Sequence, residues 1–477
     1  MSLSTSRYLL PRRFRLVLDS FLQHDDLAFA NVLPEAEIQA AFDAHDANFA
    51  QEDEDIYTPQ VTLWAALSQT LFKEEQRSCV AAVARVVVLM VSLGRRVSED
   101  TGTYCRARAK LPYAAIRQLA VDASKRCEHS IPKDWLWHQR HVYLVDGTTL
   151  SMPDTETNQA VWPQPKSQKK GLGFPLARMV VLMSLATGMI LDMEMGPYRG
   201  KETGETALFR KLLKHFVPGD IFVADRYMCS YFMIALAMVL GVDCVVRQHQ
   251  MRTTDFRRGR RLGNGDHIVQ WNRPQRPKWM DEKTYQRMPE SIEVREINVR
   301  VEQPGFRTES LVVVTTLLDA KKYTKDDLAE LYHRRWLVEL DIRSIKVTMG
   351  IDKLRCKSPD MIRNEIWTCL LSYNLIRKMI LEAASTSGVA PREISFTSAL
   401  QKLGASWTTI LLMDTAERML LIEVYLDNLS KCRVGHRPNR VEPRAVKRRP
   451  KSQMLLTKPR EEARRDRQLV AGKGKGK

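Results

Sequence analysis

The 477-residue sequence predicts an α/β fold, and three observations predict it. His141 to Val145 reads HVYLV, a short β-rich run that delivers Asp146 into the turn-like Gly147-Thr148-Thr149. Asp220 to Ala224, DIFVA, is a second buried-strand pattern and ends at Asp225, followed by Arg226 and Tyr227. Thr324 to Gly350 has helical periodicity and carries Glu339.

Residues 1–130 read as helical. Candidate helices run from Pro34 to Phe49, Leu63 to Phe72 and Ser78 to Leu93, divided by acidic or turn-rich stretches such as Gln51 to Pro59. Thr101 to Pro112, TGTYCRARAKLP, then brings Tyr104, Arg106, Arg108 and Lys110 close together. Cations alternating with an aromatic suit a phosphate-gripping segment, and an exposed helix start would read the same way. Residues 131–247 hold both aspartates and, between them, Arg178 to Met195, two apolar runs around Ala186-Thr187-Gly188 that read as a hairpin. Residues 248–309 read as a β-rich insertion with Arg257, Arg258, Arg260 and Arg261, the aromatics Trp271, Trp279 and Tyr285, and alternating Ile297, Val299 and Val301. Residues 310–385 contain the Glu339 helix and an apolar helix from Ile362 to Ala384, and residues 386–432 read as further helices that close the core.

The last segment, 433–477, is a basic tail. It holds 16 Lys and Arg against 4 Asp and Glu, so it carries +12 of the formal +18 and the preceding 432 residues carry +6. Such a tail is expected to be disordered and to bind phosphates without sequence choice and with strong salt dependence, although a merely solubilising tail has the same composition.

On the Thr324 to Gly350 helix, at roughly 100° per residue, Tyr332, Arg335, Glu339 and Lys346 share an arc of about 60°. Val338 and Ile342 flank this stripe on one side and Trp336 and Val347 on the other, which sets its polar groups at the edge of a packed core. A salt-bridged helix, with Glu339 paired to Arg335 or Arg343 at spacing four, is one account. A metal with phosphates is another, since half-buried polar groups need partners.

The spacing Tyr-x2-Arg-x3-Glu-x6-Lys resembles the signature of the insertion sequence 4 family of bacterial cut-and-paste transposases, and the resemblance runs from about Tyr57 to Arg460. In that family the Glu completes an Asp-Asp-Glu metal site. The order here, strand with Asp, hairpin, helix, strand with Asp, late helix with Glu, resembles the ribonuclease H-like, retroviral integrase-type fold. The resemblance implies that Asp146, Asp225 and Glu339 are catalytic and hold two Mg2+ or Mn2+ ions, Asp146 bridging them. Such ions, about 3.5 to 4 Å apart, serve the attacking and leaving oxygens of phosphodiester chemistry. Arg335 and Tyr332 would position phosphates. Lys346, about 10 Å beyond Glu339 along a regular helix, is too far to be a ligand and suits a bound strand. Arg226, Arg343, Tyr104, Arg106 and Arg108 join the nucleic-acid-binding candidates.

The partners implied are the terminal inverted repeats of an element and its target DNA, held by a homodimer. The separation 339 − 225 = 114 positions is too long for a compact ribonuclease H core, which is why an insertion is expected. In related transposases that region supports a hairpin at the element end, with an aromatic holding a flipped base. Leu311, four residues before Thr315, stands here where the family pattern has Trp, so Trp271 or Trp279 would substitute or the step differs.

The eight cysteines, from Cys79 to Cys432, form no CxxC pair, and no HExxH, Walker loop or GxGxxG is present, which argues against zinc, nucleotide and dinucleotide sites. No signal-peptide pattern precedes Arg12, Arg13 and Arg15, and Cys79 to Leu93 is too short to span a bilayer, so a bacterial cytoplasmic, nucleoid-associated protein without a membrane partner is expected. Two alternatives differ in class: a domesticated DNA-binding repressor or architectural protein, and a ribonuclease H-like nuclease that cuts without joining. The three carboxylates argue against the first, because a repressor gains nothing from groups that repel phosphates.

Overall fold

Alternating apolar residues along consecutive strands give a sheet with two buried faces. In the computed structural model, which describes residues 16–23, 27–28, 33–50, 52, 54–92, 94–169, 171–300, 310–435 and 456–473, that sheet has nine strands. They are β1 Val142–Ser151, β2 Leu176–Ser184, β3 Ile190–Pro197, β4 Ile221–Ala224, β5 Asp243–Arg247, β6 Arg260–Gly263, β7 Asp266–Asn272, β8 Ser291–Arg300 and β9 Ser310–Thr315. Their order is β3-β2-β1-β4-β5-β9-β8-β7-β6. The first three form an antiparallel meander, with the β2–β3 turn at Ala186 to Gly188 as the sequence suggests. β4 and β5 run parallel to β1, and the remaining strands are antiparallel to their neighbours. The expected insertion therefore continues the same sheet past β5; its end at residues 301–309 lies outside the described residues.

Each strand feeds two cores by turns. Val142 and Leu144 of β1 and Ile221 and Val223 of β4 face one core, while Tyr143, Val145, Phe222 and Ala224 face the other. The second core is closed by α2 (Glu205–Leu212) and by Tyr231–Val239. The first, larger one takes in the amino-terminal helices Pro59–Leu71 and Cys79–Ser92, then α1 (Tyr113–Ser130), and farther on α3 (Lys325–His333), α4 (Trp336–Arg343) and α5 (Pro359–Ser387). The expected amino-terminal helices thus form, with ends shifted by a few residues. Thr58 caps the first through a hydrogen bond from the Val61 amide.

The long helix expected over Thr324 to Gly350 is broken into pieces. Thr324 and Asp327 close a capping box at the start of α3, the chain bends at Arg334 and Arg335, α4 follows, and Ser344–Thr348 widens into a π-turn before left-handed Gly350. The tail also departs from expectation. Residues 436–455 and 474–477 lie outside the described residues, yet Arg460–Lys473 forms a helix with Glu461 and Glu462 in its first turn and an Arg464–Glu461 ion pair at 3.0 Å. Among the described residues no helix is long and apolar enough to cross a membrane.

One buried polar residue ties three of these elements together. Asn374, fully buried on α5, donates from Nδ2 to the carbonyls of Ala120 and Ile190 and accepts from the Ile190 amide, each at 2.9 Å. A leucine there would leave the Ile190 amide and carbonyl of β3 without these partners in an apolar core. We expect Asn374→Leu to lower unfolding free energy by about 2–3 kcal/mol in a urea titration; an unchanged midpoint would show that the bonds carry no net stability.

Candidate active site

The sheet itself brings the two aspartates together. Val145 stands opposite Ala224 in the parallel β1–β4 register, so Asp146 and Asp225 are the next residues on neighbouring strands. β4 ends there while β1 continues, paired with β2, which opens a cleft at the carboxyl end of β4. The Asp225 carboxylate accepts from the Tyr227 amide at 2.9 Å and starts the following turn, and the Asp146 carboxylate accepts from Gly147 at 2.9 Å.

Glu339 comes from α4, which packs against β1. Between it and Asp146 lies Arg335. Its Nη2 donates to Glu339 at 2.5 Å and its Nη1 is 3.8 Å from Asp146. The salt-bridged account of the stripe is thus realised in this structure, with Asp146 of β1 on the other side of Arg335.

Burial is the main reason the Asp146 carboxyl is pushed up to about 6; Arg335 and the Gly147 amide oppose the rise, and the charges of Glu339 and Asp225 add to it. Three carboxylates are a set of hard oxygen donors suited to a divalent cation. With a guanidinium between two of them, no group of three His, Cys, Asp or Glu among the described residues is drawn close enough to hold a metal ion.

What fixes α4 was not anticipated from the sequence. Asp341 is buried and ion-paired to both Arg377 of α5 and Arg392. Arg392 also donates to the carbonyls of Ser184 and Leu185 at the end of β2, at 2.6 and 2.8 Å. Arg377 donates to the Tyr373 hydroxyl, which donates to the Gly188 carbonyl at 2.9 Å. The Glu339 helix is therefore bolted to the β2–β3 turn. The signal was present: Asp341 lies about 60° beyond Val338 around the helix, on the packed side away from the stripe.

The other candidates divide. Tyr332 is nearly buried, and burial raises its pKa. Arg343 is exposed, and Arg226 reaches Gln250 at 2.9 Å. Lys346 was expected to stand clear of the fold; the π-turn instead brings it against β1, where it donates to Thr148 Oγ1 at 3.0 Å and to the Thr149 carbonyl at 2.9 Å. Tyr104, expected to grip phosphate, is fully buried and donates to Gln69 Oε1 at 2.7 Å. Arg108 is turned inward to Gln69 and to Cys356 Sγ at 2.9 Å. On Thr101–Lys110 these two occupy the packed side, and Arg106 stays exposed. Trp271 is buried, bonded to Glu296 at 3.1 Å, whereas Trp279 is 36% exposed beneath the Arg210 guanidinium. Tyr227 and Trp336, at 57% and 47%, are exposed rings two residues beyond Asp225 and next to Arg335.

Two carboxylates at the ends of adjacent parallel strands and a third on a helix across the cleft are thus brought to one end of the sheet. The profile of the family described as Transposase DDE domain matches residues 137–375, the stretch holding all three. The chain belongs to that family and is a DNA transposase, a DNA-cleaving and strand-transferring enzyme; such enzymes generally use divalent metal ions. Among relatives, the transposase InsG for insertion sequence element IS4 from Escherichia coli (strain K12) is 24% identical, over 82% of this chain and 85% of its own. A putative transposase for insertion sequence element IS4SA from Synechocystis sp. (strain ATCC 27184 / PCC 6803 / Kazusa) is 20% identical over 60% of this chain and 74% of its own. These bear out the insertion sequence 4 resemblance. A cryo-EM structure of the piggyBac transposase synaptic complex with hairpin DNA aligns at 10% identity and a TM-score of 0.40, covering 87% of this chain and 85% of that one.

The raised Asp146 pKa has a definite sign. Charging this group opposes folding, a penalty absent below its unfolded value of 3.8 and complete above about 6. A cation held by Asp146 needs the charged form, so Mn2+ uptake at that residue with an element end bound should weaken about tenfold per pH unit as pH falls below about 6. Isothermal titration between pH 5 and 8 would show it, and uptake flat to pH 5 would contradict it.

Proposed function

We propose that this transposase excises and reinserts an insertion element by cut-and-paste chemistry, with Asp146, Asp225 and Glu339 as its catalytic carboxylates. The observation that carries the reading is the register of β1 and β4, which sets Asp146 beside Asp225 with Glu339 facing them through Arg335. The β3-β2-β1-β4-β5 half of the sheet supports a ribonuclease H-like core of the integrase type, divided at residues 131–247 and 310–385 by the strands that extend the sheet. Residues 1–130 then serve end binding, 386–432 close the core, and 433–477 add non-specific phosphate affinity.

The three carboxylates would hold Mg2+ or Mn2+, two ions per site, which when bound activate an oxygen nucleophile and stabilise the leaving oxygen. Arg335 has two tasks. In the free protein it shields Asp146 from Glu339, and with DNA present its guanidinium turns to a phosphate beside the cut. Tyr332 supports it from the buried side. Lys346 holds Thr148 and Thr149, so it keeps the strand after Asp146 in register and is placed to pass to a DNA backbone when that strand moves. Arg226, Arg343 and Arg106 grip phosphates on the exposed surface. Hydrolysis frees a 3′-OH at each element end, and that hydroxyl attacks the opposite strand, giving a hairpin, or the target. Two chains hold the two terminal repeats, acting on DNA in the bacterial cytoplasm. With Leu311 in β9 and Trp271 buried, the flipped-base role falls to an exposed ring, Trp279, Tyr227 or Trp336.

Replacing Asp146, Asp225 or Glu339 by Ala should abolish cleavage of a labelled element end while leaving end binding in a gel-shift assay within about threefold, because the grip on phosphates lies elsewhere. Any one of the three variants cutting near the wild-type rate would remove that residue from the site.

A further inference from the structure

Gly147, the residue after Asp146, has no side chain, and the space where one would stand is taken. A Cβ built on Gly147 would meet the Glu205 side chain at 2.5 Å from Cδ and 2.7 Å from Oε1, closer than real Cβ atoms come to anything. Alternation along β1 turns Asp146 toward α4 and Gly147 toward the opposite face, where α2 packs. Glu205 is the first residue of α2. Its carboxylate therefore lies flat against the strand that presents Asp146, on the side facing away from Glu339. The turn that Asp225 begins packs against the same helix.

A helix-start glutamate has an ordinary structural use, which is to satisfy its own helix. That use does not account for its place against Gly147. Among the described residues no side-chain cap closes the start of α2, and no hydrogen bond reaches the Glu205 carboxylate. Its ionic partner is Arg178, whose Nε is 3.7 Å away, beyond hydrogen-bond reach, and whose Nη1 is committed to the Thr203 carbonyl at 3.0 Å. The side chain is 29% exposed, so its oxygens are open to solvent. A carboxylate without a hydrogen-bond partner among the described residues thus lies against Gly147, the neighbour of Asp146, on the helix that packs against the turn begun by Asp225.

We propose that Glu205 is a fourth carboxylate of the cleavage centre, helping Asp146 and Asp225 to hold a divalent cation from the β1 face opposite Glu339. The inference rests on the assignment of Asp146 and Asp225 above. It explains why position 147 carries no side chain: any Cβ would push Glu205 away from the cleft. Arg178 acts as the resting counter-ion of Glu205, as Arg335 does for Glu339.

The test uses the full-length protein bound to an element end, with Mn2+ uptake followed by electron paramagnetic resonance. Glu205→Gln keeps the shape and removes the charge; it should weaken Mn2+ uptake by about tenfold or more while leaving the melting temperature and end binding unchanged. Glu205→Cys should lose Mg2+-supported cleavage and regain it in Mn2+, since a thiolate accepts the softer ion. Gly147→Ala should reproduce the uptake defect. Wild-type uptake in Glu205→Gln overturns the proposal. So does a cleavage defect with normal uptake and no rescue of the cysteine variant, which would make Glu205 a support for Arg178. Asp146→Asn in the same titration separates the two readings: if it abolishes uptake and Glu205→Gln does not, the fourth carboxylate alone falls, and if neither variant changes uptake, both readings fall.

Discussion

The buried ion cluster of Asp341 with Arg377 and Arg392 is the constraint on which the geometry of this enzyme hangs. Without it the height and rotation of α4 over the sheet would rest on the apolar contacts of Val338 and Ile342 and on the part-buried polar contacts of Arg335 and Lys346 with β1, and a rotation of one residue is about 100°. With it, the helix that carries Glu339 is referenced to the carbonyls at the end of β2 and, through Tyr373, to the β2–β3 turn. Such a cluster gives little net stability, because desolvating three charges offsets most of their attraction, yet removing one partner would cost about 3–5 kcal/mol. Its value is positional.

The same arrangement explains the charges at the cleft. A sheet register that sets Asp146 beside Asp225 and a helix that aims Glu339 at them create repulsion, and burial sharpens it. Arg335 relieves that repulsion on one face and Arg178 does so beside Glu205 on the other. In the structure, therefore, part of the carboxylate charge is balanced by the chain's own guanidiniums. In the proposed mechanism, cations that took the carboxylates would free the guanidiniums for phosphate.

The strand aspartates were legible because each ends a run of apolar residues, and the end of a buried strand is where a polar side chain first meets a cleft. The glutamate was legible from stripe spacing. Tyr104 and Arg108 were misread because local alternation of charge says nothing of which helix face packs, and here Gln69 on a neighbouring helix draws both inward. Lys346 was misplaced because a π-turn changes the angle per residue, which a regular-helix projection cannot show. The strands of residues 248–309 read correctly as β-rich, but that they would extend the main sheet depends on edge pairing between β5 and β9, a contact 68 positions apart at Val246 and Val314. Glu205 was invisible for a similar reason, since only the fold brings it to Gly147.

The central claim, that these carboxylates exchange their internal guanidinium for divalent cations when DNA is bound, is most directly tested by anomalous diffraction from crystals of the chain with an element end and Mn2+. The account predicts anomalous density among Asp146, Asp225 and Glu339, with the Arg335 guanidinium moved off Glu339 and onto a DNA phosphate. Manganese bound elsewhere, or an Arg335–Glu339 pair that persists beside the bound DNA, would contradict it.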